Sequence, residues 1–156
     1  MKRQVLFSMA LVSALTASAQ RIDFNLTGRS ESQVNEPEYT AWAVNTCETE
    51  SKEVEDADGN PITITLANDA SYAGRRLKSC WFKNGLSSSK LIADGFAIYG
   101  YDENNNTPQV TEGAVRLNIT LKGLSAGKHS LMAYHNNNDG FNAPKLDVYV
   151  NGTKQQ

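Results

Sequence analysis

Alternation of apolar and polar residues is the feature that most constrains how this chain can fold. In VRLNITL, at 115–121, apolar side chains occupy every second position, namely Val115, Leu117, Ile119 and Leu121. Because successive side chains of a β-strand point to opposite faces, this spacing predicts a strand with one buried face. The same spacing recurs in PITITLA at 61–67 and in KLDVYVNG at 145–152.

Shorter strand candidates and turn signals fill much of the remaining chain. The candidates are RIDFNL at 21–26, TAWAV at 40–44, SCWF at 79–82 and FAIYGY at 96–101, and turns are predicted at 58–60, 94–95, 103–106 and 125–127. CETESKEVEDADGN, at 47–60, is interpreted as an exposed acidic loop, and a helical period extends for only one or two turns around 67–72. Since sheets that are apolar on one face can cover each other, the pattern predicts an all-β fold, a β-sandwich with a jelly-roll strand order.

The first nineteen residues have the organisation of a signal peptide. Lys2 and Arg3 precede an apolar run at 5–15, and Ala17-Ser18-Ala19 forms a cleavage site before Gln20. The apolar run is too short to cross a hydrocarbon core of about 30 Å. We therefore predict a signal peptide at 1–19, one domain at 20–156, no membrane association, and secretion to the periplasm, the cell surface or the medium.

Charge and cysteine content narrow the function classes. The formal net charge is −2, from 15 basic and 17 acidic residues that are interspersed along the chain. No basic stripe exists to displace counterions from a nucleic acid, so DNA and RNA are not expected partners. Cys47 and Cys80 are the two cysteines, and both a disulfide and two separate buried thiols fit an exported protein.

The end of the sequence predicts an incomplete hairpin. Asn151-Gly152 follows an alternating strand and is a strong type I′ turn signal, because both central residues of that turn need positive φ. Only four residues follow, which is short for a returning strand. We expect the sandwich to lack its last strand and the chain to be a module from a longer protein.

Four segments resemble a known family. IDFNLTGR at 22–29, CWFKNG at 80–85, GLSAGKHSLMAYHN at 123–136 and LDVYVNG at 146–152 are similar to malectin-like, galactose-binding-like β-sandwich modules. Such modules stand at the front of secreted polysaccharide-degrading proteins of gut Bacteroidetes-type bacteria. The resemblance implies a carbohydrate-binding or accessory module, with a polysaccharide lyase or glycoside hydrolase domain attached beyond residue 156.

The residues that end the segment 130–136 are the first candidate sugar site. Tyr134, His135 and Asn136 lie where a predicted strand gives way to a loop, and loops commonly display binding residues. An aromatic ring can stack on a sugar, and an asparagine amide both donates to and accepts from hydroxyls. The following NDG at 138–140 is interpreted as a turn.

Trp81 and Lys83 are the second candidate site. Alternation places them on the same face of a strand, where Trp81 would offer a stacking platform and Lys83 a partner for a uronate carboxylate. The competing interpretation places Trp81 in the core and Lys83 in solvent. Trp42 is a further candidate aromatic platform, and the alternative is that it lies in the core. Arg75-Arg76 could bind a carboxylate through paired hydrogen bonds, and the alternative is an ordinary surface charge pair.

Signatures of an enzyme are missing from the sequence. His129 and His135 do not form a zinc motif, and no nucleophile elbow, phosphate loop or dinucleotide fingerprint occurs. Asp102, Glu103 and Asp139 offer loop oxygens for a structural calcium ion, but they lack the spacing of a dedicated calcium loop. We expect a polysaccharide or oligosaccharide ligand, no cofactor and no catalysis by this chain, with an enzyme using His135 as base and a structural spacer as the alternatives.

Overall fold

The computed structural model describes residues 20–56, 58–71, 74–81, 89–102, 107–109, 116–134 and 147–155, with the backbone alone for 101–102 and 107–109. The strands are β1 (Ile22–Asn25), β2 (Thr40–Ala43), β3 (Thr49–Glu55), β4 (Pro61–Asn68), β5 (Arg75–Trp81), β6 (Asp94–Asp102), β7 (Thr107–Gln109), β8 (Leu117–Lys122), β9 (Tyr149–Val150) and β10 (Thr153–Lys154). One short helix, α1 (Glu31–Val34), and a 3-10 helix at Lys90–Ile92 complete the described elements. The prediction of an all-β fold is confirmed.

The strands form four groups. β3-β4-β8 and β5-β6-β7 are three-stranded antiparallel sheets, β1 and β2 pair in parallel, and β9 and β10 form an antiparallel hairpin. Residues from both three-stranded sheets meet in a single hydrophobic core. A shared core is what two packed sheets require, and the jelly-roll sandwich itself stays a prediction.

The alternating segment PITITLA places the core on β4. Ile62, Ile64 and Leu66 are all buried, as the period-two pattern predicts. Leu66 meets Leu77 of β5 in the same cluster, and both are completely buried. The other buried members are Trp42, Val44 and Val54, and Ile22, Phe24, Cys47, Phe96, Ile98, Leu117 and Leu121 pack against them.

The alternation in β8 is only partly reflected in burial. Leu117 and Leu121 pack against the core, whereas Ile119 between them is 44% exposed. Among the described strands, β8 pairs with β4 alone, so it forms an edge of its sheet. An edge strand has fewer neighbours to cover its side chains, and an apolar period therefore does not guarantee equal burial along it.

The interpretation of 47–60 as an acidic loop is wrong for its centre. Residues 49–55 form β3, which pairs with β4 from Thr49 opposite Ala67 to Glu55 opposite Pro61. Val54 is the one buried side chain of β3. Because β3 is mostly polar on both faces, its strand character comes from backbone pairing with β4 and leaves little trace in the sequence pattern. The turn predicted at 58–60 is confirmed, with Asp56 Oδ1 accepting from the Asp58 and Asn60 amides at 2.9 and 2.8 Å.

One further local prediction is wrong, and one short helix was not predicted. Residues 67–68 end β4, and helix α1 begins after Ser30, where Gln33 Oε1 accepts a hydrogen bond from the Ser30 amide as part of a capping box. Asp94-Gly95 was predicted as a turn but begins β6, with Asp94 opposite Trp81 in the register. Ladder pairing with β5 overrides the local turn preference of this dipeptide.

The Asn151-Gly152 turn is confirmed. Asn151 has φ 49° and Gly152 has φ 80°, and they join β9 to β10. Positive φ at both central residues is the type I′ geometry, whose twist matches that of the flanking strands. Near the hairpin, Lys154 Nζ lies 2.8 Å from the Asp147 carboxylate, an exposed ion pair.

Cys47 and Cys80 are not joined by a disulfide. The Cys47 backbone pairs with Leu77, which precedes Cys80 by three positions along β5. Three residues of strand span about 10 Å, which exceeds the Cα separation of about 7 Å that a disulfide tolerates. The alternative of two separate thiols is the one that the structure supports.

Candidate functional site

Trp81 lies at the end of β5 with its side chain 49% exposed. It shares a strand face with Leu77 and Ser79, both buried, because these residues are two positions apart. The inner face of β5 thus changes from an apolar residue to a hydroxyl and then to a half-exposed aromatic ring. The interpretation of Trp81 as a core residue is wrong, and its ring is accessible to a ligand.

Beside Trp81, β1 brings polar side chains into the interior. Ile22 and Phe24 face the core, where the Phe24 ring lies 5.4 Å from Trp42 and 4.7 Å from Phe96 between centroids. Asp23 and Asn25 take the other face of the strand and are nevertheless buried. Together with the buried Asp94 of β6 they form what we call the acid cluster, defined as Asp23, Asn25 and Asp94.

Asp94 has little support for a negative charge. It is 4% exposed, and its Oδ2 accepts a 2.7 Å hydrogen bond from the Leu26 amide. Its Oδ1 is buried and has no hydrogen-bond partner among the described residues. Burial raises the pKa of Asp94 to about 6, with a further contribution from the neighbouring Asp23 and an opposing one from the Leu26 amide.

Asp23 and Asn25 are buried still more deeply. Asp23 Oδ2 accepts a 2.7 Å hydrogen bond from the Glu36 amide, and burial raises the pKa of the Asp23 carboxyl in spite of that bond. Asn25 is 2% exposed, and neither its amide nitrogen nor its oxygen has a hydrogen-bond partner within the described part of the chain. Unsatisfied buried polar groups of this kind destabilise a fold and are uncommon without a reason.

Two sets of hydrogen bonds fasten neighbouring segments around the acid cluster. Thr27 donates its amide to Ser79 Oγ at 3.0 Å, and the two hydroxyls lie 2.9 Å apart. Glu36 Oε2 accepts from Ser89 Oγ at 3.0 Å and from the amides of Lys90 and Leu91 at 2.8 and 3.2 Å.

These bonds connect β1 and the α1 segment to β5 and the 3-10 helix. Lys90 Nζ donates in return to the Ser32 carbonyl at 2.7 Å. The hydrogen bonds from Leu91, Ser89 and Lys90 lower the pKa of the Glu36 carboxyl, so Glu36 holds the 3-10 helix as a carboxylate. The segment that carries the Glu36 amide to Asp23 is thereby tied to the residues that precede Asp94.

The predicted sugar-binding residues are only partly described. Trp81 and Tyr134 are exposed, whereas Lys83, His135 and Asn136 lie outside the described residues. Residues 128–134 carry no strand, so the strand predicted to lead into His135 is wrong over this stretch. No ring contact is found between the described Tyr134 and Trp81, and the proposed meeting of the two candidate groups stays a prediction.

The other aromatic and basic candidates are occupied elsewhere. Trp42 is buried in the core and its Nε1 donates to Glu50 Oε1 at 3.2 Å, which confirms its core assignment. Arg76 lies 3.8 Å from the Glu48 carboxylate. On the same outer face of β5, Lys78 Nζ is 5.9 Å from the centre of the Tyr99 ring.

The described part of the chain contains neither a candidate metal site nor a long apolar helix. No group of three or more histidine, cysteine, aspartate or glutamate side chains there is arranged to hold a metal ion. Of the calcium candidates, Glu103, Asp139 and the Asp102 side chain lie outside the described residues. Within the described ranges, no helix has the length and apolar character needed to cross a bilayer.

No protein-family model, curated protein or solved structure matches this chain. The acid cluster was missed in the sequence, where Asp23 and Asn25 fit the polar face of a half-buried strand and Asp94 fits a turn. The alternation in IDFN was the available signal, because it places Asp23 and Asn25 on the same face of the strand. It does not show that other parts of the chain cover that face.

Proposed function

We propose that the chain is a non-catalytic carbohydrate-binding or accessory module of a secreted polysaccharide-degrading protein. The observation that carries the proposal is the half-exposed Trp81 at the end of β5. An indole ring presents a large apolar face that can stack on the C–H face of a sugar, and its N–H can donate to a hydroxyl.

The surroundings of Trp81 suit a rigid platform. Its backbone pairs with Asp94 in the β5–β6 ladder. The two preceding side chains on the same face of β5, Leu77 and Ser79, are buried. A ring held on a paired strand loses less conformational freedom on binding than one on an open loop. This favours Trp81 over Tyr134, which lies in the stretch without a strand.

The remaining parts of the proposal come from the sequence. Lys83, His135 and Asn136 would add hydrogen bonds to sugar hydroxyls or a carboxylate, and Tyr134 would add a second ring. The signal-peptide pattern at 1–19 supports secretion, and the resemblance to malectin-like modules supports a polysaccharide or oligosaccharide ligand and a catalytic domain beyond residue 156. The alternatives are a part of a lyase or hydrolase, or a structural spacer.

Replacing Trp81 by alanine is expected to weaken glycan binding by roughly tenfold, because loss of aromatic stacking and of the buried ring surface corresponds to about 1.4 kcal/mol. Binding would first be detected on a glycan array and then measured by affinity electrophoresis of the mature domain. Tyr149→Ala is the matched control, since Tyr149 is also an aromatic residue at a strand and is 52% exposed. It should leave retention unchanged.

Equal retention of the Trp81→Ala variant and the unmodified domain would remove Trp81 from the site. A domain that retains no glycan on the array would instead support the spacer alternative. Turnover of uronate polysaccharides, followed by the absorbance of unsaturated products, should stay at background. Turnover above background would favour the enzyme alternative.

A further inference from the structure

Two buried carboxyl groups act on each other at the junction of β1 with β6. Asp94 receives only the Leu26 hydrogen bond, and its second oxygen is buried without a partner among the described residues. Asp23 accepts a hydrogen bond from the Glu36 amide, and this bond and the nearby Asn25 side chain lower its pKa by less than burial raises it. Charged carboxylates that are removed from water need a cation or several donors to offset the loss of hydration.

The charged groups around this pair do not provide that compensation. On the β1 side, Asp94 faces Asp23, which disfavours its ionisation. From the α1 segment, Glu36 acts on Asp23 in the same sense, and from the 3-10 helix Lys90 acts in the opposite one. β5 contributes Ser79 and Trp81 to this face, neither of which carries a charge.

Two segments reach the pair through backbone amides, and a third is attached to it through Glu36. The Leu26 amide binds Asp94, the Glu36 amide binds Asp23, and the Lys90 amide binds the Glu36 carboxylate. Ionisation of both buried carboxyls would place two negative charges at the centre of these contacts. Separation of the segments would then let water reach the charges.

We propose that the protonation state of Asp94 controls the junction of β1, β6 and the 3-10 helix. The junction is closed when Asp94 is protonated and loosens when Asp94 is ionised. Trp81 lies directly opposite Asp94 in the β5–β6 register. Loosening therefore occurs beside the exposed indole ring. The inference concerns the fold and does not depend on what Trp81 binds.

The direction of the pH dependence follows from linkage. A carboxyl whose pKa is raised in the closed state stabilises that state below the open-state pKa, and this stabilisation is lost as the pH rises through the closed-state value. For Asp94 the ordinary value is 3.8 and the closed-state value is about 6. The equilibrium constant for closing the junction should therefore fall by about tenfold between roughly pH 5 and pH 8.

Hydrogen exchange of single amides tests this role of Asp94, because the amides of Leu26, Glu36 and Lys90 are themselves donors at the junction. After correction for intrinsic rates, their protection in the mature domain should fall by about tenfold over that pH range. The Thr63 amide, in the β3–β4–β8 sheet, should show no such step.

Asp94→Asn should remove the pH step while retaining protection, since an amide oxygen can still accept from Leu26 and has no charge to gain. Asp58→Asn, in an exposed turn, is the matched control and should keep the wild-type step. The proposal is overturned if wild-type protection at the junction does not change with pH, or if the Asp94→Asn variant keeps the step.

A titration of the unmodified domain keeps the test valid even if the Asp94→Asn variant does not fold. Carboxyl carbon shifts followed by NMR should give Asp94 an apparent pKa clearly above its ordinary value. An apparent pKa at or below about 4 for Asp94 would overturn the proposal, because Asp94 would then be ionised in the closed form over the whole range tested.

Discussion

Replacing Leu66 by alanine is expected to lower the free energy of unfolding by about 3 kcal/mol. Leu66 lies on β4, the central strand of the β3–β4–β8 sheet, and is completely buried in the core that both three-stranded sheets share. Removing its isopropyl group would leave a cavity between side chains that belong to different sheets. Urea unfolding of residues 20–156 would show the loss as a lower midpoint with an unchanged slope.

Leu131→Ala provides the matched control for this prediction. It removes the same atoms from a side chain that is mostly exposed in the stretch without a strand. A change within about 0.5 kcal/mol is expected there, since surface truncations remove little buried area. If the two variants shifted the unfolding midpoint equally, Leu66 would not be at the centre of the core.

Replacing Gly123 by alanine is expected to destabilise the domain by more than about 2 kcal/mol, because two unfavourable effects coincide. Gly123 has φ 89°, a backbone conformation that is costly for a residue with a Cβ atom. A Cβ atom at this position would also lie 2.4 Å from the Pro61 carbonyl oxygen. That oxygen belongs to the first residue of β4, so relief of the clash must separate β8 from β4.

Gly59→Ala isolates the backbone part of this effect. Gly59 has φ 82°, nearly the same as Gly123, but no atom lies within 4 Å of a Cβ atom built there. Only the backbone cost of about 1 kcal/mol should remain in this variant. Chemical unfolding of both variants gives the comparison, and an equal loss of stability would show that Pro61 can move aside without cost.

The elements that could be predicted from the sequence are those whose signal is local. Ile62, Ile64 and Leu66 alternate with threonines, and this was sufficient to predict β4 and its buried face. Asn151-Gly152 determined its own turn, because few other residue pairs adopt positive φ at both positions without strain. In both cases the information lies within a few residues of the structure that it specifies.

The elements that were missed depend on a partner that is distant in the sequence. β3 has mostly polar side chains and is a strand because its backbone pairs with β4. Asp94-Gly95 begins β6 because its backbone pairs with Trp81 and Cys80 of β5. Helical and turn preferences at these positions are weaker than the hydrogen bonds of a ladder. Single-residue patterns do not contain the position of the pairing strand.

The amino-acid sequence by itself determined the all-β class, the main buried strand and the Asn151-Gly152 hairpin turn. Only the tertiary structure decided which of these residues is exposed and which is buried. Trp42 and Trp81 both follow small residues in short apolar segments, yet one lies in the core and the other at a sheet end. Burial depends on what covers a side chain from other parts of the chain, and for the same reason Asp23, Asn25 and Asp94 became a buried cluster although each has the sequence context of a surface residue.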